Sequence, residues 1–333
     1  MSQIITPYPI RRSRRLRRTE WIRDMVAENK ISISDLIWPV FICDGLDRKE
    51  AIKSLPGIYR YSIDKVTEIA QDAVDLGINC IALFPYTPKH LKTPDCAEAW
   101  NPDNLVNRAT RAIKKITPNL GIILDVALDP YNSDGHDGLI RGLEILNDET
   151  LIALEKQALA QANSGADILG PSDMMDGRVG VIRRALEANG LKDTLIMSYS
   201  AKFSSSFYGP FRDAVGASGS LSGDKKTYQI DCANSREAIR DAALDISEGA
   251  DMVMVKPGLP YLDVCKAIKL ELNVPTFAYQ VSGEYAMIES ASLNGFINKD
   301  LIMLETLLSF KRAGCDGVLT YFAPELAKLL TRK

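Results

Sequence analysis

Histidine is nearly missing from this chain. Only His90 and His136 occur among 333 residues, so a His-rich metal site or a His-based nucleophilic triad is poorly supplied. Cysteine is scarce and scattered. Cys43, Cys80, Cys96, Cys232, Cys265 and Cys315 contain no Cys-x-x-Cys pair. A zinc cluster or disulfide framework is therefore not expected, and a cytoplasmic location is. No run approaches the roughly 18 apolar residues of a membrane helix. The N-terminus has no apolar core behind its charges, so neither a membrane anchor nor a secretory signal is expected. Charge of one sign is lacking too. The formal net charge is -3, which does not suit a chain built for nucleic acid. With 46% hydrophobic and 25% charged residues the composition is ordinary for a globular protein. The length allows two small domains or one large barrel.

What is present is a pair of lysines at the ends of apolar runs. Residues 251–258 read DMVMVKPG. Four unbroken apolar residues suit a strand buried on both faces, as in a parallel sheet. The run delivers Lys256 and stops at Pro257-Gly258, where the ladder cannot continue. A lysine against an apolar wall loses part of its preference for charge, and a neutral amine attacks ketones and aldehydes to form Schiff bases. Alone, such a lysine also suits a solvent-facing strand cap. Residues 194–203 repeat the pattern, with Lys202 at the end of a mostly apolar run. If the two strands are parallel neighbours, both ammonium groups lie at one end and each disfavours the other's charge.

Strand and helix patterns alternate along the chain. Strands are predicted at 36–42, 79–84, 121–128, 167–170, 194–200, 251–256, 275–281 and 317–321. Helices are predicted at 64–76 with Asp64 as N-cap, 103–116, 150–163, 175–188, 235–248, 261–272, across 284–313 with a break near Gly295, and from 324. Eight strands alternating with helices is the pattern of a (β/α)8 TIM barrel, α/β in class. A doubly wound sheet is the rival, but no Gly-x-Gly-x-x-Gly follows a strand. In a barrel the chemistry sits at the C-terminal strand ends, which here supply Asp125, Lys202, Lys256, Ser282 and Tyr321. Residues 204–223 are rich in Ser and Gly and read as an irregular lid or binding loop. Residues 1–34 read as an extended N-terminal arm ahead of a barrel domain at 35–333. Six arginines between 11 and 18 suit a solvated tail, a nucleic-acid arm, or an arm packed on a neighbouring subunit.

Longer motifs narrow this. Residues 198–213 read SYSAKFSSSFYGPFRD, 171–178 PSDMMDGR, 224–229 DKKTYQ and 280–285 QVSGEY. With DMVMVKPG, these closely resemble the porphobilinogen synthase (5-aminolevulinate dehydratase) family, in order along essentially the whole chain. The resemblance implies a TIM barrel that condenses two 5-aminolevulinate molecules to porphobilinogen with loss of two waters, in tetrapyrrole (haem) biosynthesis. It implies Schiff bases on Lys202 and Lys256. Arg212 and Lys225, with Gln229 near, would hold one substrate carboxylate, and Ser282 and Tyr321 the other. Asp125 would bind the substrate amine or move a proton. It further implies a homo-octamer in which the arm embraces a neighbour. No nucleic-acid or membrane partner is expected.

The sequence departs from the family's zinc pattern. Zinc-dependent members carry three cysteines in the segment that here reads LDVALDPYNSDGHDG, at positions matching Ala127, Asp129 and Asp137. Carboxylates suit hard cations, so no catalytic zinc is expected. Asp129, Asp134 and Asp137 also suit a polar turn. The resemblance is to the magnesium-responsive branch, whose allosteric or stimulatory Mg²⁺ would fall at Asp241, where Glu is usual, with Glu237 one turn earlier. The alternative activity is a Schiff-base class I aldolase on the same barrel. It needs a single essential lysine, and the pair argues against it.

Overall fold

The computed structural model describes residues 7–216, 221 and 223–331. Eight strands form its centre: β1 Leu36–Ile42, β2 Cys80–Pro85, β3 Gly121–Val126, β4 Ile168–Pro171, β5 Leu195–Lys202, β6 Met252–Lys256, β7 Thr276–Gln280 and β8 Gly317–Thr320. Each pairs in parallel with the next, and β8 pairs with β1 through Leu36↔Val318 and Ile37↔Leu319. The sheet therefore closes on itself as a (β/α)8 barrel. Closure explains the unbroken apolar strands. Val253, Met254 and Val255 are each wholly buried, because both faces of β6 meet protein.

Helices cover the barrel outside: α1 Ile63–Asp75, α2 Leu105–Ile116, α3 Asn147–Asn163, α4 Arg178–Ala188, α5 Ser235–Ser247, α6 Leu262–Leu272, α7 Ser282–Leu293, α8 Lys299–Ala313 and α9 Ala323–Thr331. In α2 the stripe Val106, Ala109, Thr110 and Ile113 is buried, and Asn104 caps the start by accepting the Asn107 N–H at 2.9 Å. Among the described residues no helix is long and apolar enough to cross a membrane.

Three local expectations differ from the structure. The N-cap of α1 is Ser62; Asp64 sits in the first turn and accepts the Ser62 hydroxyl at 2.7 Å. Helix α4 begins at Arg178 and not at 175. Met174 and Gly177 both have positive φ, and Asp173 Oδ1 takes the Met175 N–H in an Asx turn that holds this stretch out of the helix. The expected irregular segment at 204–223 contains a 3₁₀ turn, Ser206–Tyr208, and a short helix, Gly209–Ala214. Ser205 caps the turn and Pro210 starts the helix, signals masked by the surrounding Ser and Gly. Positions 217–220 and 222 of that segment lie outside the described residues. Two antiparallel hairpins, at 49–61 and 139–146, follow no pattern strong enough to read beforehand.

Residues 7–30 are exposed at almost every position and buried at none. They form a 3₁₀ turn, Ser13–Arg17, and a short helix, Glu20–Met25, with no buried residue in either. Ile10, Leu16, Trp21 and Met25 are all exposed.

Candidate active site

All eight strands point their C-terminal ends at one mouth, and the two lysines meet there. Lys202 closes β5, Lys256 closes β6, and the register pairs them directly, Lys256↔Lys202. Both are about 5–6% exposed. The pairing depends on an irregularity. Val253 faces Ser198 while Val255 faces Ala201, so β5 has one extra residue over this span.

The surroundings of the two lysines differ. Lys256 Nζ lies 5.0 Å from the rings of Tyr199 and Tyr279, 5.1 Å from Phe211 and 5.4 Å from Tyr208. Burial among these rings and the charge of Lys202 bring the Lys256 ammonium down to about 7, with Asp125 pulling the other way. The ring faces themselves favour a cation at Nζ, which limits the drop. Lys202 is ion-paired: its Nζ donates to Asp137 Oδ1 at 2.8 Å and also to the Ser172 carbonyl.

Asp137 is the hub of a buried charge cluster. Its Oδ2 takes Lys225 Nζ at 2.6 Å and the Tyr228 hydroxyl at 2.9 Å. Burial raises the cost of this charge, but two adjacent ammonium groups outweigh it and hold the carboxyl well below the usual range. Lys225 also reaches Asp129 at 3.3 Å; burial works against its charge, and the two carboxylates more than offset it. Asp125, at the end of β3, is pushed up to about 6, chiefly by burial, with Lys256 opposing and Asp129 adding to the rise. Its Oδ1 is buried without a hydrogen-bond partner among the described residues.

Of the other expected residues, Ser282 and Tyr321 are bonded to members of the Lys256 cage. Ser282 is the first residue of α7; its Oγ accepts the Phe211 N–H at 3.0 Å and donates to the Phe207 carbonyl at 3.3 Å. Tyr321 follows β8 and shares a 2.8 Å hydrogen bond with the Tyr279 hydroxyl, so it touches the Lys256 cage through that ring. Gln229 is buried one turn after Lys225; its backbone N–H donates to the Lys225 carbonyl at 2.9 Å, and the residue lines the neighbouring cavity that also holds Asp241. Arg212 lies in the short helix next to Phe211 and is half-buried. That helix is clamped from outside. Arg60 Nε donates to the Ala214 carbonyl at 2.6 Å and Nη2 to the Asp213 carbonyl at 2.5 Å, while Ser54 Oγ donates to Asp213 Oδ2 at 2.6 Å.

The aromatic cage and the Asp137 pairing were not foreseen. The cage draws on residues 199 to 279, and only folding brings them together. An aspartate conspicuous in a Gly/Asp-rich turn, opposite two lysines expected at one mouth, was the one available signal for the pairing.

Segment 124–138 brings no thiolate to the mouth. Ala127 has no ligating atom, and Asp129 and Asp137 are engaged by lysine ammonium groups. Asp241, on α5, is elsewhere. It lines a cavity of about 550 Å³ with Asp176, Arg178, Glu237, Asp245 and Glu248. Burial, then the charges of Glu237 and Asp245, push its carboxyl up to about 6. Among the described residues no trio of His, Cys, Asp or Glu converges to ligate an ion directly.

The barrel and this mouth define a class, a (β/α)8 enzyme with paired buried lysines. A profile described as delta-aminolevulinic acid dehydratase matches residues 10–329. The delta-aminolevulinic acid dehydratase of Rhodobacter capsulatus is 57% identical over 330 residues, 99% of each chain. That of Bradyrhizobium diazoefficiens is 58% identical over 319 residues, 96% of this chain and 90% of the relative. The crystal structure of the Toxoplasma gondii ME49 enzyme, in complex with the reaction product porphobilinogen, superposes with a TM-score of 0.95 at 46% identity, covering 99% of this chain and 93% of that one. This chain belongs to the delta-aminolevulinic acid dehydratase (porphobilinogen synthase) family, lyases that condense 5-aminolevulinate to porphobilinogen in tetrapyrrole biosynthesis.

Proposed function

We propose that this chain performs the family's condensation through Schiff bases on Lys202 and Lys256. The observation that carries the reading is the direct pairing of two buried lysines at the barrel mouth. Lys256 is the better prepared nucleophile, because close to neutral pH a large share of it is free amine. It adds to the substrate ketone, and the carbinolamine loses water to give a protonated imine. That cation occupies the place of the ammonium, so the four rings around Nζ stabilise it. Lys202 forms the second imine, with Asp137 holding its nitrogen in place. Each ketone oxygen leaves as water when its imine forms, which accounts for both waters. An imine acidifies the neighbouring C–H, and the resulting enamine attacks the other imine carbon. A substrate amine displaces one lysine, the second leaves by elimination, and both return as free amines.

Asp125 offers a buried oxygen, without a hydrogen-bond partner among the described residues, for the substrate amine or for a proton in transit. Arg212, Lys225 and Gln229 would hold one carboxylate, with 204–223 as a lid. Lys225 then exchanges an aspartate for the substrate. Ser282 and Tyr321 would hold the other carboxylate. The exposed apolar residues of the arm at 1–34 support its packing on a neighbouring subunit of a homo-octamer. The cavity at Asp241 and Glu237 suits a hydrated, stimulatory Mg²⁺. Six free cysteines suit a cytoplasmic protein.

Borohydride reduction with 5-aminolevulinate, followed by peptide mass spectrometry, tests the chemistry. Adducts on Lys256 and Lys202 are expected. Folded protein with an adduct on neither lysine would overturn the mechanism. The aldolase alternative is tested by Lys202→Ala, which would retain turnover if one lysine sufficed.

A further inference from the structure

Two loops of the mouth, the 207–211 segment and the loop that leaves β6, meet at the N-terminus of α7, and its first three residues hold them. Ser282 Oγ grips the 207–211 segment through Phe207 and Phe211. Gly283 lets that segment approach: a Cβ there would lie 2.5 Å from the Phe207 carbonyl oxygen and 2.8 Å from its Cα. Glu284 faces the other way. Its wholly buried carboxylate takes three backbone N–H groups, from Val281 at 2.7 Å, Gly258 at 3.2 Å and Leu259 at 2.6 Å.

Capping the helix needs only the first of these bonds. The other two cross from α7 to the loop that leaves β6, at the second and third residues after Lys256. On its other side Lys256 is held as well. Its carbonyl accepts the Phe203 N–H at 2.9 Å and the Tyr208 hydroxyl at 3.1 Å. The loop has little slack, since a Cβ on Gly258 would lie 2.5 Å from the Phe310 ring and 3.0 Å from the Tyr279 carbonyl.

We propose that Glu284 is a positioning residue for Lys256. Its two cross-loop hydrogen bonds fix the Lys256 backbone against the helix terminus that carries Ser282. The imine nitrogen and the carboxylate-binding hydroxyl are thereby held at one spacing and can engage one substrate molecule. This rests on the Schiff-base reading of Lys256 and the carboxylate role of Ser282. Glu284 itself touches neither the amine nor the reacting carbon.

Two variants of the full chain separate positioning from capping. Glu284→Gln keeps the volume but presents an NH₂ to N–H groups that need an acceptor. Glu284→Asp keeps a carboxyl group at the capping position beside Val281, and is one methylene too short for the bonds to Gly258 and Leu259. The measurements are kcat and KM for 5-aminolevulinate, the yield of borohydride-trapped Lys256 adduct, and thermal unfolding. Glu284→Gln is expected to lose about tenfold or more in kcat and in Lys256 adduct. Glu284→Asp is expected to lose at least about threefold in both, with an unfolding midpoint near wild type. Glu284→Asp with wild-type kcat and trapping would overturn the proposal, whatever the folding of Glu284→Gln. Absence of a Lys256 adduct in the wild type would instead remove the Schiff-base reading on which it rests.

Discussion

Lys256→Met should abolish turnover and make the protein more stable, because the lysine burdens the fold it serves. Methionine has a similar stem, carries no charge and packs well against aromatic rings. In the folded protein burial and Lys202 bring the Lys256 ammonium down to about 7. The unfolded chain keeps it near the free-lysine value of about 10.4. A gap of about three units corresponds to a cost of ~4 kcal/mol at neutral pH. The surrounding rings attract the cation and offset part of this, so a gain of about 2–4 kcal/mol is expected. For a chain this long, that corresponds to a rise of roughly 3–6 °C in Tm. The pH dependence gives the sharper test. Between about pH 7 and 10 the unfolded state binds up to one more proton at this site than the folded state. Wild-type stability therefore climbs with pH by up to ~1.4 kcal/mol per unit from this group, and the burden disappears above the unfolded value. The variant lacks that contribution, so its advantage should be largest at pH 7 and shrink by pH 9.5. Asp125 also loses the charge that opposed its protonation. Calorimetric scans of both proteins between pH 6.5 and 9.5, with porphobilinogen formation followed in parallel, make the comparison. A variant no more stable than wild type at pH 7, or an advantage independent of pH, would refute the reasoning.

Three further outcomes follow from the same geometry. Asp137→Asn removes a carboxylate that contacts both Lys202 and Lys225; it should cost ~3–5 kcal/mol in urea unfolding and lower kcat at least ~10²-fold, and a wild-type midpoint would contradict the hub role. In a pH–rate profile, kcat/KM should rise with pH through about 7 as Lys256 loses its proton, with Asp125 ionising earlier, near 6; a flat profile from pH 5.5 to 8 would exclude Lys256 as the nucleophile. Arg60→Ala removes the clamp on Asp213 and Ala214 and the guanidinium 4.7 Å over the Tyr86 ring; since Arg212 shares that helix, KM for 5-aminolevulinate should rise about tenfold with a smaller change in kcat, measured by initial rates.

The fold was legible because a closed parallel barrel makes unusual demands. Strands buried on both faces run mostly apolar, and the loops between them must break that pattern. All eight strands could be placed from such runs, and both lysines stood out as charges at their ends. Local chemistry was read less well where two signals competed. The helix at Gly209–Ala214 was hidden by the Ser and Gly around it, although Ser205 and Pro210 marked its start. The start of α4 was misplaced because one Asx turn and two left-handed residues precede it.

By itself, then, the sequence determined the strand order, the barrel class and the arrival of Lys202 and Lys256 at strand ends, since these follow from patterns within a few residues. Tertiary structure alone decided what surrounds the lysines. The extra residue in β5 sets Lys202 opposite Lys256, and strand alternation cannot reveal a bulge. Lys202 finds Asp137 across 65 residues of chain, and Lys256 finds rings from β5, β7 and the 206–214 segment. Those contacts exist because β8 closes on β1 and aims every strand end at one mouth, where residues far apart in sequence set each other's charge.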